Sequence, residues 1–242
     1  MFPGRRRPAA DQPGGSTLTR YRELRRASRL RRWPVQAGVG LVLGALGWAV
    51  YGPAGGLGTA AVGAGLVAAY QWWSGDEARW RRDAQAERRT AWLLRSLRSA
   101  GYVLLHDRTL PGSRETVDHL AVGPAGVFLV DTRGWDRRTR ITQLHGEVWI
   151  GATAALRVVG PLMLRTQQVA NAIGQAAETA VEVIPVMAVH GARLPWRGVS
   201  VEGVPLLRAV RVPRYLRAHP PLFTPEQVTV LAEAAARALP AP

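Results

Sequence analysis

Asp118 and Asp131, with Arg133 two residues further on, are the side chains whose types and spacing best suit chemistry in this chain. They lie in TVDHLAVGPAGVFLVDTR, residues Thr116–Arg133. Val117–Val122 and Val127–Asp131 are rich in Val, Leu and Phe and read as strands. Gly123-Pro124-Ala125-Gly126 between them reads as a tight turn. A symmetric turn pairs Val122 with Val127, Leu120 with Leu129 and Asp118 with Asp131. Because side chains alternate along a strand, all six then share one face, and Arg133 follows on it. Opposed like charges repel, more so in apolar surroundings, and need compensation. A divalent cation held by both carboxylates, beside a cationic Arg, is the most economical solution. Two plainer readings use the same residues: Asp118 and Asp131 simply begin and end their strands, or a one-residue bulge puts them on opposite faces.

The flanking elements must position this pair. Asp76–Ala100 reads as a helix stopped by Gly101, with Trp80, Ala84, Thr90, Ala91, Leu94 and Leu97 in one stripe. Glu87 falls near the middle of that stripe. It is either solvated by rotation of the helix or turned toward a charged site on the sheet. Tyr102–His106 reads as a strand, and Ile141–Leu144 with Glu147–Ile150 as a second hairpin around His145-Gly146. Pro161–Glu182 is a helix carrying Gln167, Gln168 and Asn171. Val183–Val189 is a strand in which Pro185 points to an edge or to the first residues only. Thr224-Pro225-Glu226-Gln227 opens a last helix with a capping box. This order predicts an α/β domain with a mixed sheet flanked by helices over residues 76–242.

Ahead of that domain, Trp33–Gly75 contains no charged residue. As one helix it would be about 64 Å long, twice the hydrocarbon core of a bilayer. Gly52-Pro53-Ala54-Gly55-Gly56 is where it should break, giving a transmembrane helical hairpin of Trp33–Tyr51 and Leu57–Trp73. Gly40 and Gly44 form a small-xxx-small pair that lets helices approach. Basic residues flank both ends, which predicts a plasma- or inner-membrane location with both termini and the domain cytoplasmic. The alternatives are a buried hairpin of a soluble protein and, less well matched in length, a signal peptide. Residues 1–32 hold ten Arg against Asp11 and Glu23, of a formal net charge of +15. They read as a mostly flexible basic cytoplasmic arm whose partners are anionic lipid headgroups or nucleic acid. The absence of Cys excludes disulfides and thiolate chemistry.

The stretch LHDRTLPGSRETVDHLAVGPAGVFLVDTRGW, Leu105–Trp135, within a similarity running from about Ala86 to Val189, resembles the nuclease-related domain family. That family is a branch of the restriction-endonuclease-like PD-(D/E)xK fold. The resemblance implies a metal site made from an acid on the first helix, an Asp on the second strand and an acid-x-Lys on the third, with a Gln on the next helix. By position these become Glu87, Asp118, Asp131-Thr132-Arg133, and Gln167 or Gln168. It implies Mg²⁺ or Mn²⁺ bound by Asp118 and Asp131, catalysis by these with Glu87 and Arg133, and phosphodiester hydrolysis of nucleic acid, DNA above all. The departure is Arg133 in the Lys position. Arg keeps the charge and can grip phosphate, but it is bulkier and does not deprotonate. The whole chain contains Arg and no Lys.

Other signals carry less. Five His lack zinc-ligand spacing, and His119, which faces away from Asp118, reads as packed or solvated. Gly38–Gly44 lacks the Lys-Ser/Thr of a phosphate loop. Arg208, Arg211, Arg214 and Arg217, three apart, read as a solvated helix edge or a phosphate-binding face. Two functions follow: a membrane-anchored, metal-dependent nuclease, or a non-catalytic module of the same fold that holds nucleic acid or a protein at the membrane.

Overall fold

The computed structural model describes residues 15–74, 76–113, 115–144 and 146–242. The chain divides into two compact units, Thr17–Arg82 and one containing Asp83–Pro242. Residues 1–14 of the expected basic arm, and His145, lie outside the described residues.

In the first unit, α1 runs Gly15–Ser74. Residues 15–32, expected in a flexible arm, are therefore helical. Gly52, with φ 71° and ψ −169°, breaks the helical geometry at the start of the expected breaker cluster. The helix resumes at Pro53, whose fixed φ suits a first turn. The segments before and after the break touch: the Thr59 hydroxyl donates to Leu43 O at 2.9 Å. Gly44 and Gly47 permit this approach, since a Cβ on Gly47 would stand 2.9 Å from Gly55 O and one on Gly44 3.4 Å from Gly56 O. Ala37–Val67 is long and apolar enough to cross a membrane, and only 6% of its most apolar window is buried.

The second unit is α/β, as its element order predicts. After α2 (Asp76–Leu94) a 3₁₀ turn (Arg95–Ala100) ends at Gly101, which takes φ 80°. There follow β1 (Val103–Thr109), β2 (Thr116–Gly123), β3 (Gly126–Gly134), β4 (Ile141–Leu144), β5 (Glu147–Ile150) and β6 (Thr153–Ala154). Then come α3 (Leu156–Ala177), β7 (Val183–His190), β8 (Val199–Val201), β9 (Val204–Arg208), a 3₁₀ turn (Ala209–Arg211), α4 (Val212–Arg217) and α5 (Pro225–Ala238). The main sheet is mixed, in the order β1-β2-β3-β7-β9-β8, and β4-β5-β6 form a small second sheet.

The β2–β3 register is the symmetric one: Gly123 faces Gly126, Val122 faces Val127, Leu120 faces Leu129, and His119 faces Val130. On one face Leu120, Val122, Val127 and Leu129 pack under α3 and α5 through Leu162, Val169, Leu231 and Ala235. On the other, Ala121, Phe128 and Val130 pack with Leu94, Leu97, Val212 and Leu216. Alternation along the buried stretches of these two strands thus supplies two cores. Truncating Leu129, which is wholly buried, to Ala would cost about 2–5 kcal/mol.

Two elements differ from expectation, and the position of Pro185 meets the second of its two expected settings, the first residues of its strand. Helix α3 starts five residues before Pro161, which sits inside its first turns. β7 is interior, parallel to both β3 and β9, but β9 pairs only from Met187 onward, so beside Pro185 the strand still has a free edge. The Pro/Arg-rich stretch after β7 hides the β8–β9 hairpin, turned by Glu202 and Gly203, both with positive φ. The capping box of α5 forms as expected, with Thr224 N donating to Gln227 Oε1 at 2.8 Å and Gln227 N to Thr224 Oγ1 at 3.4 Å.

Candidate functional site

One step beyond His119–Val130 the register sets Asp118 opposite Asp131, on the α3 face of the sheet. Asp118 Oδ2 accepts a hydrogen bond from Thr132 N at 2.8 Å, fastening its carboxyl to the neighbouring strand. Asp131 is 2% exposed and meets two guanidinium groups. Arg133 donates Nε to Oδ2 at 2.7 Å and Nη2 to Oδ1 at 3.3 Å, a forked pair. Arg165 of α3 donates Nη1 to Oδ1 at 3.0 Å, and its Nε lies 3.5 Å from Glu115 Oε2. Asp83 of α2 closes the outer side, its Oδ1 accepting from Gly134 N at 2.9 Å and its charge reaching Arg133.

The electrostatics follow from this packing. Desolvation first, and then the charge of Asp131, pushes Asp118 up to about 7, against the Thr132 N–H and the charges of Arg133 and Arg165. Near neutral pH the pair therefore relieves its repulsion in two ways: Asp118 takes up a proton part of the time, and arginines neutralise Asp131. Asp131 and Asp83 in turn hold Arg133 firmly charged.

A different solution stands on the opposite face. His119 Nδ1 lies 3.0 Å from His106 Nδ1, with the rings edge-on, and His190 Nε2 lies 2.8 Å from Thr90 Oγ1. Burial, then the neighbouring His106, lowers His119 well below the usual imidazole range. Burial and Arg89 lower His190 to about 4. His119 is thus packed, as its facing predicts, and burial favours the neutral form of His119 and His190.

Of the residues expected at the site, the structure brings together Asp118, Asp131 and Arg133. Glu87 is buried, but its backbone lies beside the ring of His119, on the histidine side of the sheet. Gln167 and Gln168 are exposed on α3, and Gln167 Nε2 reaches Asn171 Oδ1 at 3.4 Å. Asp83 and Arg165 went unrecognised. Asp83 sits one helical turn before Glu87, on the same side of α2. Arg165 falls three residues after Leu162 and four before Val169, both fully buried. The reasoning that picks out Glu87, a charge in an apolar stripe, would have picked out Arg165 as well.

For Mg²⁺ or Mn²⁺ the resident donors fit poorly. Both oxygens of Asp131 already face guanidinium N–H groups, and Asp118 Oδ2 is committed to the backbone. Among the described residues no group of three or more His, Cys, Asp or Glu is placed to hold a metal ion. A dication would have to displace two like-charged groups that are themselves held by the aspartate.

Residues 82–195, a little under half of the chain, match the family model of the nuclease-related domain. The matched span runs from the first turns of α2 to just beyond β7 and includes every residue of the aspartate–arginine cluster. No curated protein and no solved structure matches the chain.

Proposed function

We propose that this protein is a membrane-tethered, nucleic-acid-holding module built on a nuclease-related domain, in which arginines replace the metal. The match over residues 82–195 supports a nuclease-like function and a nucleic-acid partner. The observation that carries the non-catalytic form is the clamp on Asp131 by Arg133 and Arg165. The clamp sequesters the carboxylate that would otherwise ligate a cation. Arg133 uses two of its donors on Asp131, remains about a third exposed, and has further N–H groups for the phosphates of duplex DNA. Gln167 and Gln168 stand exposed on α3 as secondary contacts. Membrane attachment rests on Ala37–Val67, with residues 33–75 as a two-helix anchor, residues 1–32 against anionic lipid, and both termini and the domain in the cytoplasm.

A second reading is metal-dependent hydrolysis of DNA on a restriction-endonuclease-like core. It is favoured by the opposed Asp118 and Asp131, where burial first and then the charge of Asp131 lift Asp118 to about 7. One assay separates the two. The full chain in zwitterionic detergent is incubated with linear and nicked DNA in Mg²⁺, Mn²⁺ or EDTA, alongside Asp118→Asn, Asp131→Asn and Arg133→Lys. DNA bound and left intact in every metal supports the module. Metal-dependent cleavage by wild type that disappears in both Asp variants overturns it in favour of hydrolysis. Cleavage gained only in Arg133→Lys places the block at that residue. A reporter fused after Pro242 tests the topology and should register inside the cell.

A further inference from the structure

On the sheet face opposite the aspartates, the end of α2, the 3₁₀ turn after it and α4 enclose a groove of about 500 Å³. Trp92, Val210 and Pro213 form its apolar lining, and Arg95, Arg214 and Arg217 stand around it. Trp92 is 66% exposed and Val210 68%, so neither is spent on the core. The two segments that line the groove, residues 92–96 and 210–217, contain four Arg and no Asp or Glu. The arginine row with its spacing of three therefore has a structural setting. Arg214 and Arg217 border the groove, while Arg211 and Arg208 stand 4.8 and 5.5 Å from the ring of Trp196, itself 69% exposed. Aromatic faces in water, flanked by cations without local acids, suit a ligand that is both polyanionic and flat-ringed.

We propose that this groove binds single-stranded nucleic acid, with a base stacked on Trp92 and neighbouring phosphates paired with Arg95, Arg214 and Arg217. The uniform charge selects a polyanion. The exposed indole selects one with accessible base faces, which a duplex hides and a single strand presents. The concavity suits a strand better than the flat surface of a bilayer. The inference rests on the nucleic-acid reading above but uses none of its residues.

The test uses the full chain in zwitterionic detergent and follows the fluorescence anisotropy of a labelled oligothymidylate and of a duplex of equal length. Trp92→Ala should weaken oligothymidylate binding roughly ten-fold and leave the duplex unaffected. Arg214→Glu/Arg217→Glu should weaken it further and flatten the salt dependence by about 1.4 in log–log slope, two phosphates' worth. All three side chains are exposed, so circular dichroism melting should match wild type. Oligothymidylate binding unchanged in both variants, with duplex still bound, overturns the groove while leaving the broader reading intact. Failure of wild type to bind either ligand overturns both. If the double Arg variant instead loses association with phosphatidylglycerol vesicles and keeps oligothymidylate binding, the groove is a lipid contact and the inference fails.

Discussion

Asp118 and His119 are consecutive residues of one strand, and the protein treats them in opposite ways. Asp118 points to the α3 side, where two arginines and a second carboxylate make a charge cluster. His119 points to the α2 side, where it meets His106 and where burial favours the neutral form of His119 and His190. A buried polar residue must either gain partners of opposite charge or lose its own charge. The Asp118–Asp131 pair uses both outcomes, arginines on Asp131 and a proton on Asp118, whereas His119, one residue from Asp118, uses only the second. The lesson is that paired carboxylates do not by themselves signal a metal. Arginines from the same strand and from the covering helix can offset the repulsion equally well.

The largest effect should come from dismantling the charged side. Asp131→Ala leaves Arg133 and Arg165 facing each other without their carboxylate, and should cost about 3–5 kcal/mol in urea unfolding. A loss below about 1 kcal/mol would mean that the arginines carry no structural load.

Next in size is Asp118→Asn, whose sign depends on pH. Asp118 is raised from 3.8 to about 7 by folding, so its contribution is most favourable below pH 3.8 and is lost as pH rises through about 7. Asn stays neutral throughout and can still accept from Thr132 N. The variant should exceed wild type by roughly 2–4 kcal/mol at pH 8 and converge with it near pH 4. A variant less stable than wild type at pH 8 would reverse the assigned repulsion.

The histidine side should respond in the opposite direction. His190 is lowered from 6.5 to about 4, so its stabilisation is present above 6.5 and is lost as pH falls through about 4. His190→Gln should flatten the acid limb of the stability–pH curve. The ring is partly exposed, so the gain near pH 4.5 should be about 1 kcal/mol after solvent screening. An unchanged limb would show that His190 does not sense acid. The smallest effect belongs to Gln167→Ala and Gln168→Ala. Both side chains are exposed, and stability should stay within about 0.5 kcal/mol while duplex affinity falls modestly.

The charged side was largely legible from sequence. Gly123–Gly126 pins the register, and two apolar strands then place Asp118 against Asp131 by alternation alone. His119 could be assigned to the other face for the same reason. The partners of the pair were harder to find, because they come from other elements. Arg165 reaches Asp131 across 34 residues of chain, and no local pattern says which helix covers which end of the sheet. Glu87 is buried in the apolar stripe of α2, with its backbone beside the His119 ring, while Asp83 one turn earlier meets Gly134 N at the site. The β8–β9 hairpin escaped notice because its strands are short and one contains Pro205.

The central claim, that guanidinium groups occupy the place of a cation at Asp118 and Asp131, is tested most directly by titrating the full chain with Mn²⁺ and following free ion by electron paramagnetic resonance. Wild type should leave Mn²⁺ free up to millimolar protein, and Arg133→Ala/Arg165→Ala should begin to bind it. Stoichiometric Mn²⁺ uptake by wild type that vanishes in Asp118→Asn would contradict the account.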